Sequence, residues 1–370
     1  MTPEIVIACY RYDTFNIEEV VFVVLPEKTE DPPTGSACTL NMGMTLLAVI
    51  LIAVLFATAN NINEQCQVHN ERWITCSCIG NEEFFLPEAY NYMNTLSVSV
   101  TGCVSANLHY SSFPEASNIE EVIVQNISGN LNFDVFLSSS HMKLLKLSNI
   151  GRIPMIASHT FTNLKAIDTL TIEDAFIETL EEEFAYINIS HFIMRNVTIE
   201  RVYCLNVSEK GTKLRIVNSK LHNVMETLNF ANFLNIEIIG SKFEMQKPGL
   251  MSIQGDVAIV KNNIFSNVSM NLVTTTAIVI NGICADGKST LRLSSRSIDS
   301  TDNRLPNEIA YPGNDQRGEP LTEFLTIRNN TVCKAGNCKC SISSGQASCL
   351  IHVYTIYVFL LTEFIFIRYL

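Results

Sequence analysis

The side chains best suited to chemistry do not converge in this sequence. Seven histidines (His69, His109, His141, His159, His191, His222 and His352) are scattered along it. His141 and His191 immediately precede strand-like apolar stretches, where a polar residue on the loop side is expected, so both read as surface residues. Glu181-Glu182-Glu183 is an acidic run next to Phe184 and reads as a solvated face. The pairs Cys76-Ser77-Cys78 and Cys338-Lys339-Cys340 have close spacing, but in an oxidising compartment with further cysteines nearby, disulfides are expected in place of a metal. The chain carries no G-x-S-x-G elbow, H-E-x-x-H helix, G-x-G-x-x-G turn or Walker loop. No catalytic residue, metal ligand or cofactor is expected, and the chain reads as non-enzymatic.

The formal net charge of −12 opposes nucleic-acid binding, which needs a basic face to displace counterions from phosphate. Residues 42–59 contain an apolar run, Leu46 to Phe56, followed by Ala57-Thr58-Ala59. This is the pattern of a signal-peptide core with a small-x-small cleavage site, with cleavage expected after Ala59. Residues 1–41 then read as an unstructured upstream extension, and a signal-anchor is the rival reading. The tail 350–370 is apolar, follows small residues and is interrupted by Glu363 and Arg368. It resembles a GPI-attachment signal, with a membrane-spanning tail and a buried capping strand as alternatives. Ten cysteines beyond Ala59 and six N-x-S/T sequons, at Asn126, Asn188, Asn196, Asn206, Asn267 and Asn329, fit a secreted or surface-tethered glycoprotein.

The elements that position all of this follow from a repeat. Val122-x-Val124, Leu145-x-Leu147, Leu170-x-Ile172, Phe192-x-Met194, Leu214-x-Ile216, Ile236-x-Ile238, Val257-x-Ile259 and Ala277-x-Val279 fall into one column, and Leu325-x-Ile327 closes it. A second column, Phe113, Phe136, Phe161 and Phe184, stands eight or nine residues ahead of the strands. The spacing of two predicts a strand, and the spacing of three between the columns predicts a helical or 3₁₀ return path. Neither half buries its apolar side alone, so neighbouring turns must stack. The predicted fold is an α/β or mainly β solenoid with a parallel sheet, a right-handed coil of 20–25-residue turns capped by cysteines at both ends.

At Val257–Ile264 and Leu325–Val332 the sequence resembles the extracellular leucine-rich-repeat family, with Asn262 and Asn330 in the asparagine slot of L-x-L-x-x-N-x-L. The slot holds Ala175, Val197, Ser219 and Ser241 in the turns between, a departure from that pattern. The resemblance implies that the slot side chain bonds backbone groups of adjacent turns, and that Cys66, Cys76, Cys78 and Cys103 form an N-terminal cap. A parallel β-helix is the alternative architecture. The resulting organisation is a cysteine cap over 60–112, solenoid repeats over 113–284, a polar insertion loop over 285–322, and a last repeat with a C-terminal cap over 323–349.

Stacked turns lie about 4.8 Å apart, so Cys204 and Cys284, between three and four turns apart, are too distant to pair. Cys284 and Cys333 flank the insertion at nearly equivalent points and are candidates for a disulfide. The pairing of Cys338, Cys340 and Cys349 is open, and Cys204 is expected to stay free as a small buried hydrophobe.

Outward strand positions, counted from the same column, read Ile123, Lys146, Thr171, Ile193, Arg215, Glu237, Ala258 and Ile278. Beside them stand Gln125, Ser148, Glu173, Arg195, Val217, Ile239, Val260 and Ile280. No two carboxylates occupy neighbouring turns, unlike the acid pairs of polysaccharide-cleaving β-helices. Lys146, Glu173, Arg195, Arg215 and Glu237 make a mixed-charge patch, and Val217, Ile239, Val260 and Ile280 an apolar stripe beside it. That combination suits a protein partner, extracellular or on a cell surface, a second copy included. A carbohydrate-binding or carbohydrate-active β-helix and a self-assembling matrix component are the alternatives.

Overall fold

In the computed structural model the described residues run from 61 to 340, apart from 64, 79–82, 86–91, 109–117, 134–140, 312, 314–321, 334–337 and 339. The expected extension, signal peptide and hydrophobic tail, together with Cys349, Phe113 and Phe136, lie outside them. No helix among the described residues is long and apolar enough to cross a membrane.

The chain winds as a mainly β solenoid with a parallel sheet. Each strand pairs with the one about 22 residues further on, so that Phe192, Leu214 and Ile236 sit in register. Thr75, Ser99 and Ile123 begin one outward column and Ile74, Val98 and Val122 the inward one beside it. The inward side chains, Val98 through Ile298, are buried in one continuous core.

The return path is also strand. Ala166–Leu180 is a single strand in which Ile167 and Leu170 both face the core, although their spacing of three had predicted a helical turn. Among the described residues the one helical element is the 3₁₀ turn Tyr92–Asn94. A spacing of three arises in an all-strand coil wherever a corner inserts one residue and reverses the alternation. Val124 and Ile127 show this: both are buried, and Asn126 between them has φ 58°.

That corner is a column of its own. Gly102, Asn126, Asn149, Asp174, Asn196, Asn218, Gly240, Asn262, Gly282, Asp302 and Asn329 follow consecutive strands of the face, and all have φ between 50° and 75°. The left-handed region is tolerated by glycine and, at lower cost than by other side chains, by Asn and Asp, which explains the composition of the column. At Gly240 and Gly282 the choice is further restricted. A Cβ there would lie 2.5 Å from Oδ1 of Asn218 or of Asn262 on the preceding coil.

One residue past the corner, a buried polar column ties coils together. Ser219 Oγ accepts the Val197 N–H at 3.2 Å, Ser241 Oγ the Ser219 N–H at 3.1 Å, and Asn263 Oδ1 the Ser241 N–H at 2.8 Å. Asn263 also donates to the Ile238 carbonyl at 2.7 Å. Asn303 and Asn330 continue the column, with Asn303 accepting the Ile283 N–H at 2.9 Å and Asn330 the Asn303 N–H at 3.1 Å. The slot expected to hold Asn262 therefore holds Asn263, and Asn262 sits in the left-handed corner. Like residues also stack in the core: the rings of Phe243 and Phe265 lie 5.4 Å apart, and those of Phe161 and Phe184 lie 5.6 Å apart.

Three further expectations change. The range 285–322, expected as a polar loop, contains Thr290–Ser294, Ser297–Thr301 and Arg304–Leu305, which pair in register with earlier strands. An additional coil was hidden there by polar outward residues and by Ser300, which occupies a core position. Consequently Cys284 and Cys333 are separated by that coil and do not pair. The disulfides at this end are Cys284–Cys340 and Cys333–Cys338. At the other end they are Cys66–Cys76 and Cys78–Cys103, and Cys204 is free and buried. Glu182, read as solvated, is buried instead, with its carboxylate accepting the N–H of Phe184 at 3.2 Å and of Phe161 at 3.5 Å. Burial is the main cause that pushes its carboxyl above the usual range.

Candidate functional site

The face that begins with Thr75, Ser99 and Ile123 carries the candidate surface. Its alternation points every second side chain outward, and parallel registry places equivalent residues about 4.8 Å apart. Lys146, Glu173, Arg215, Glu237, Val217 and Ile239 are partly exposed there, and Arg195 is exposed. Four of the five charged members, Glu173, Arg195, Arg215 and Glu237, pair within the protein. Arg195 lies 3.4 Å from Glu173, and Glu237 receives both Arg215 at 3.0 Å and Lys213 at 3.7 Å. These half-exposed pairs largely neutralise one another, so the middle coils present less free charge than the residue types suggested.

Val260 is not on this surface. It is fully buried, as are Ile280, Ala258 and Ile278, because Ile236 pairs with Ala258 and Ile238 with Val260. The expected column slipped by one residue after Ile238. In a strand, a slip of one exchanges the two faces. The outward positions are Ile259 and Val279, in register with Glu237, together with Val257 and Ala277, in register with Asn235. With Val217 and Ile239 they form an aliphatic patch over four consecutive coils. Lys261 and Asn281 follow Ile239 along its column, and Asp299 follows Val279. Ile259 and Val279 escaped the sequence reading because Val257-Ala258-Ile259-Val260 is apolar at both parities. The recurrence of Asn218, Gly240, Asn262 and Gly282, one per coil, carries the signal that fixes the parity.

The sequons divide by geometry. Asn126, Asn196 and Asn329 occupy the left-handed corner and donate to the preceding coil, to Thr101 at 3.4 Å, Asp174 at 2.7 Å and Asp302 at 3.1 Å. Asn267 donates to the Met245 carbonyl at 3.3 Å, and Asn206 accepts from Asn229 at 2.9 Å. Asn188 opens the Asn188–Val202 strand with an exposed side chain.

Elsewhere, a groove of about 480 Å³ runs beside the coil corners near Asp256, lined by Lys210, Asn232, Leu234, Gln254, Asp256 and Thr275. Thr275 donates to Asp256 at 2.8 Å. On another face, hydrogen bonds from Lys242 and then His222 hold the Glu244 carboxyl below the usual range. Among the described residues no group of three or more His, Cys, Asp or Glu side chains is placed to hold a metal ion.

This site belongs to a β-solenoid whose sheet face joins an aliphatic patch to internally paired charges. Comparison of the chain with protein-family models, with curated proteins and with solved structures finds no match.

Proposed function

We propose that the chain is an extracellular recognition or adhesion protein that binds a protein partner through the patch of Val217, Ile239, Val257, Ile259, Ala277 and Val279. The observation that carries this reading is the patch itself: branched aliphatic side chains on adjacent coils, rimmed by the Arg215–Glu237 pair, Lys261 and Asp299. An apolar centre with a polar rim is how protein interfaces are built. Strand return paths favour a parallel β-helix over a leucine-rich repeat as the architecture. Four disulfides fit an extracellular or secretory-pathway protein. The leader and the hydrophobic tail, read as a signal peptide and a GPI signal or membrane anchor, would then deliver the solenoid to a cell surface.

The test is a binding screen of the full chain displayed on cells, comparing wild type with an Ile239→Glu, Ile259→Glu, Val279→Glu triple variant. Saturable binding of a protease-sensitive component that the variant loses, with normal display, supports the reading; equal binding by the variant overturns it. Carbohydrate binding is the second reading, favoured by the polar groove at Lys210, Gln254 and Asp256. It expects glycan binding that Asp256→Ala abolishes and the triple variant leaves unchanged.

A further inference from the structure

Among the described residues the last coil at the C-terminal end of the solenoid is uncovered on its outer side. Phe324–Arg328 pairs with Ser297–Thr301 on one side, and among the described residues no strand pairs with its other edge. Leu325 and Ile327 stand in the columns of Ile298 and Ser300, which are buried, yet are themselves about half exposed at 47% and 49%. Val332 repeats this on the next face, 50% exposed in register with buried Leu305. A cavity of about 320 Å³ opens beside them, lined by Leu305, Ile309, Tyr311, Ile327, Asn330 and Val332. Core columns and an unpaired strand edge thus end together at one surface, the arrangement that solenoids need capped and that edge strands otherwise use for pairing.

We propose that this end docks against the same end of a second copy of the chain, through antiparallel pairing of the two Phe324–Arg328 strands about a two-fold axis at Thr326. The order of side chains in Phe-Leu-Thr-Ile-Arg argues for this occupant. With Thr326 opposite its own copy, Leu325 of each strand faces Ile327 of the other, and both core columns run on across the junction. On the outward side Phe324 faces Arg328, a cation beside an aromatic ring. No like charges oppose each other. The five residues are therefore complementary to their own reversal, the requirement of an isologous contact. At the opposite end the edge strand, Asn61–Asn63, is only three residues long. The inference is independent of which partner the aliphatic face binds.

The pairing makes a position-specific statement. Opposed Thr326 Cα atoms would lie roughly 4.5–5.5 Å apart, within disulfide range. The two Arg328 Cα atoms, four residues out of register, would lie about 14 Å apart. The full chain, produced in secretory cells and extracted in mild detergent, is compared as wild type, Thr326→Cys, Arg328→Cys and Val279→Cys on non-reducing gels. The expected result is a covalent dimer for Thr326→Cys alone, and a shift from dimer to monomer in sedimentation for the Leu325→Asp, Ile327→Asp variant with unchanged secretion. A Thr326→Cys chain that stays monomeric overturns the proposal, as does a dimer linked equally well through Arg328→Cys or through Val279→Cys. A wild-type chain that dimerises only after removal of residues 350–370 places its own tail on this end and also overturns it.

Discussion

The two ends of the solenoid carry two disulfides each but are finished differently. At the N-terminal end the chain folds back. Cys66–His69 pairs antiparallel with Trp73–Ser77, and the core positions Ile74, Val98 and Val100 are buried beneath the coil. At the C-terminal end Cys284–Cys340 and Cys333–Cys338 tether the chain, yet every residue of Phe324–Arg328 is exposed. A disulfide limits where the chain can go, whereas a cap must also supply strand partners and apolar contacts. Counting cysteines therefore predicts two equal caps, whereas among the described residues only the N-terminal end is covered by a returning strand.

The contrast is sharpest at Ile74 and Leu325, which share a column. Ile74→Ala should cost about 2–5 kcal/mol, as for a buried aliphatic, and Leu325→Ala under about 1 kcal/mol in the monomer. Urea denaturation of both variants measures this, and equal losses would mean that the last coil is covered after all.

Charge burial gives the next largest difference. Glu182→Ala leaves two buried amides without an acceptor and should cost about 1–3 kcal/mol. Because burial raises the folded-state value above the unfolded one, the stability linked to this group is full below the unfolded value. It declines as pH rises from about 4.5 through the folded value. Glu182→Gln should flatten that decline in a pH series of melting temperatures. Glu323→Ala in the last coil, where the side chain is half exposed and 2.8 Å from Arg296, should cost no more than about 1 kcal/mol.

The left-handed corner provides a control that ignores burial. Asn218→Ala in the covered stretch and Asn329→Ala in the last coil should each lose about 1 kcal/mol, since the backbone cost is local. A much smaller loss at Asn329 would show that the final coil does not hold its corner in solution. The smallest effect belongs to the surface pairs. Arg215→Ala and Arg296→Ala should each change stability by no more than about 1 kcal/mol, and only Arg215→Ala should alter partner binding.

Much of this was legible in the residues. The alternation at Val122, Leu145, Leu170, Phe192, Leu214 and Ile236 placed the inward side chains of the middle coils. The same coil spacing left Cys204 without a partner. Reading failed where two patterns fitted equally. A helical return and a strand corner both produce a spacing of three, and only the left-handed Asn or Gly separates them. The coil at Ile298 was lost because Asp299, Ser300 and Thr301 look like a loop, although Asn303 and Asn330 hold it in the polar ladder.

The sequence by itself determined the period of the coil, the alternation of burial within most strands, and the Asn, Asp and Gly corner, because each is written in residue types that recur with local backbone geometry. Only the tertiary structure decided the partner of Cys284 and the exposure of Phe324 to Arg328. These depend on which coil stacks on which, a contact between residues some 20 or more positions apart that no local preference encodes.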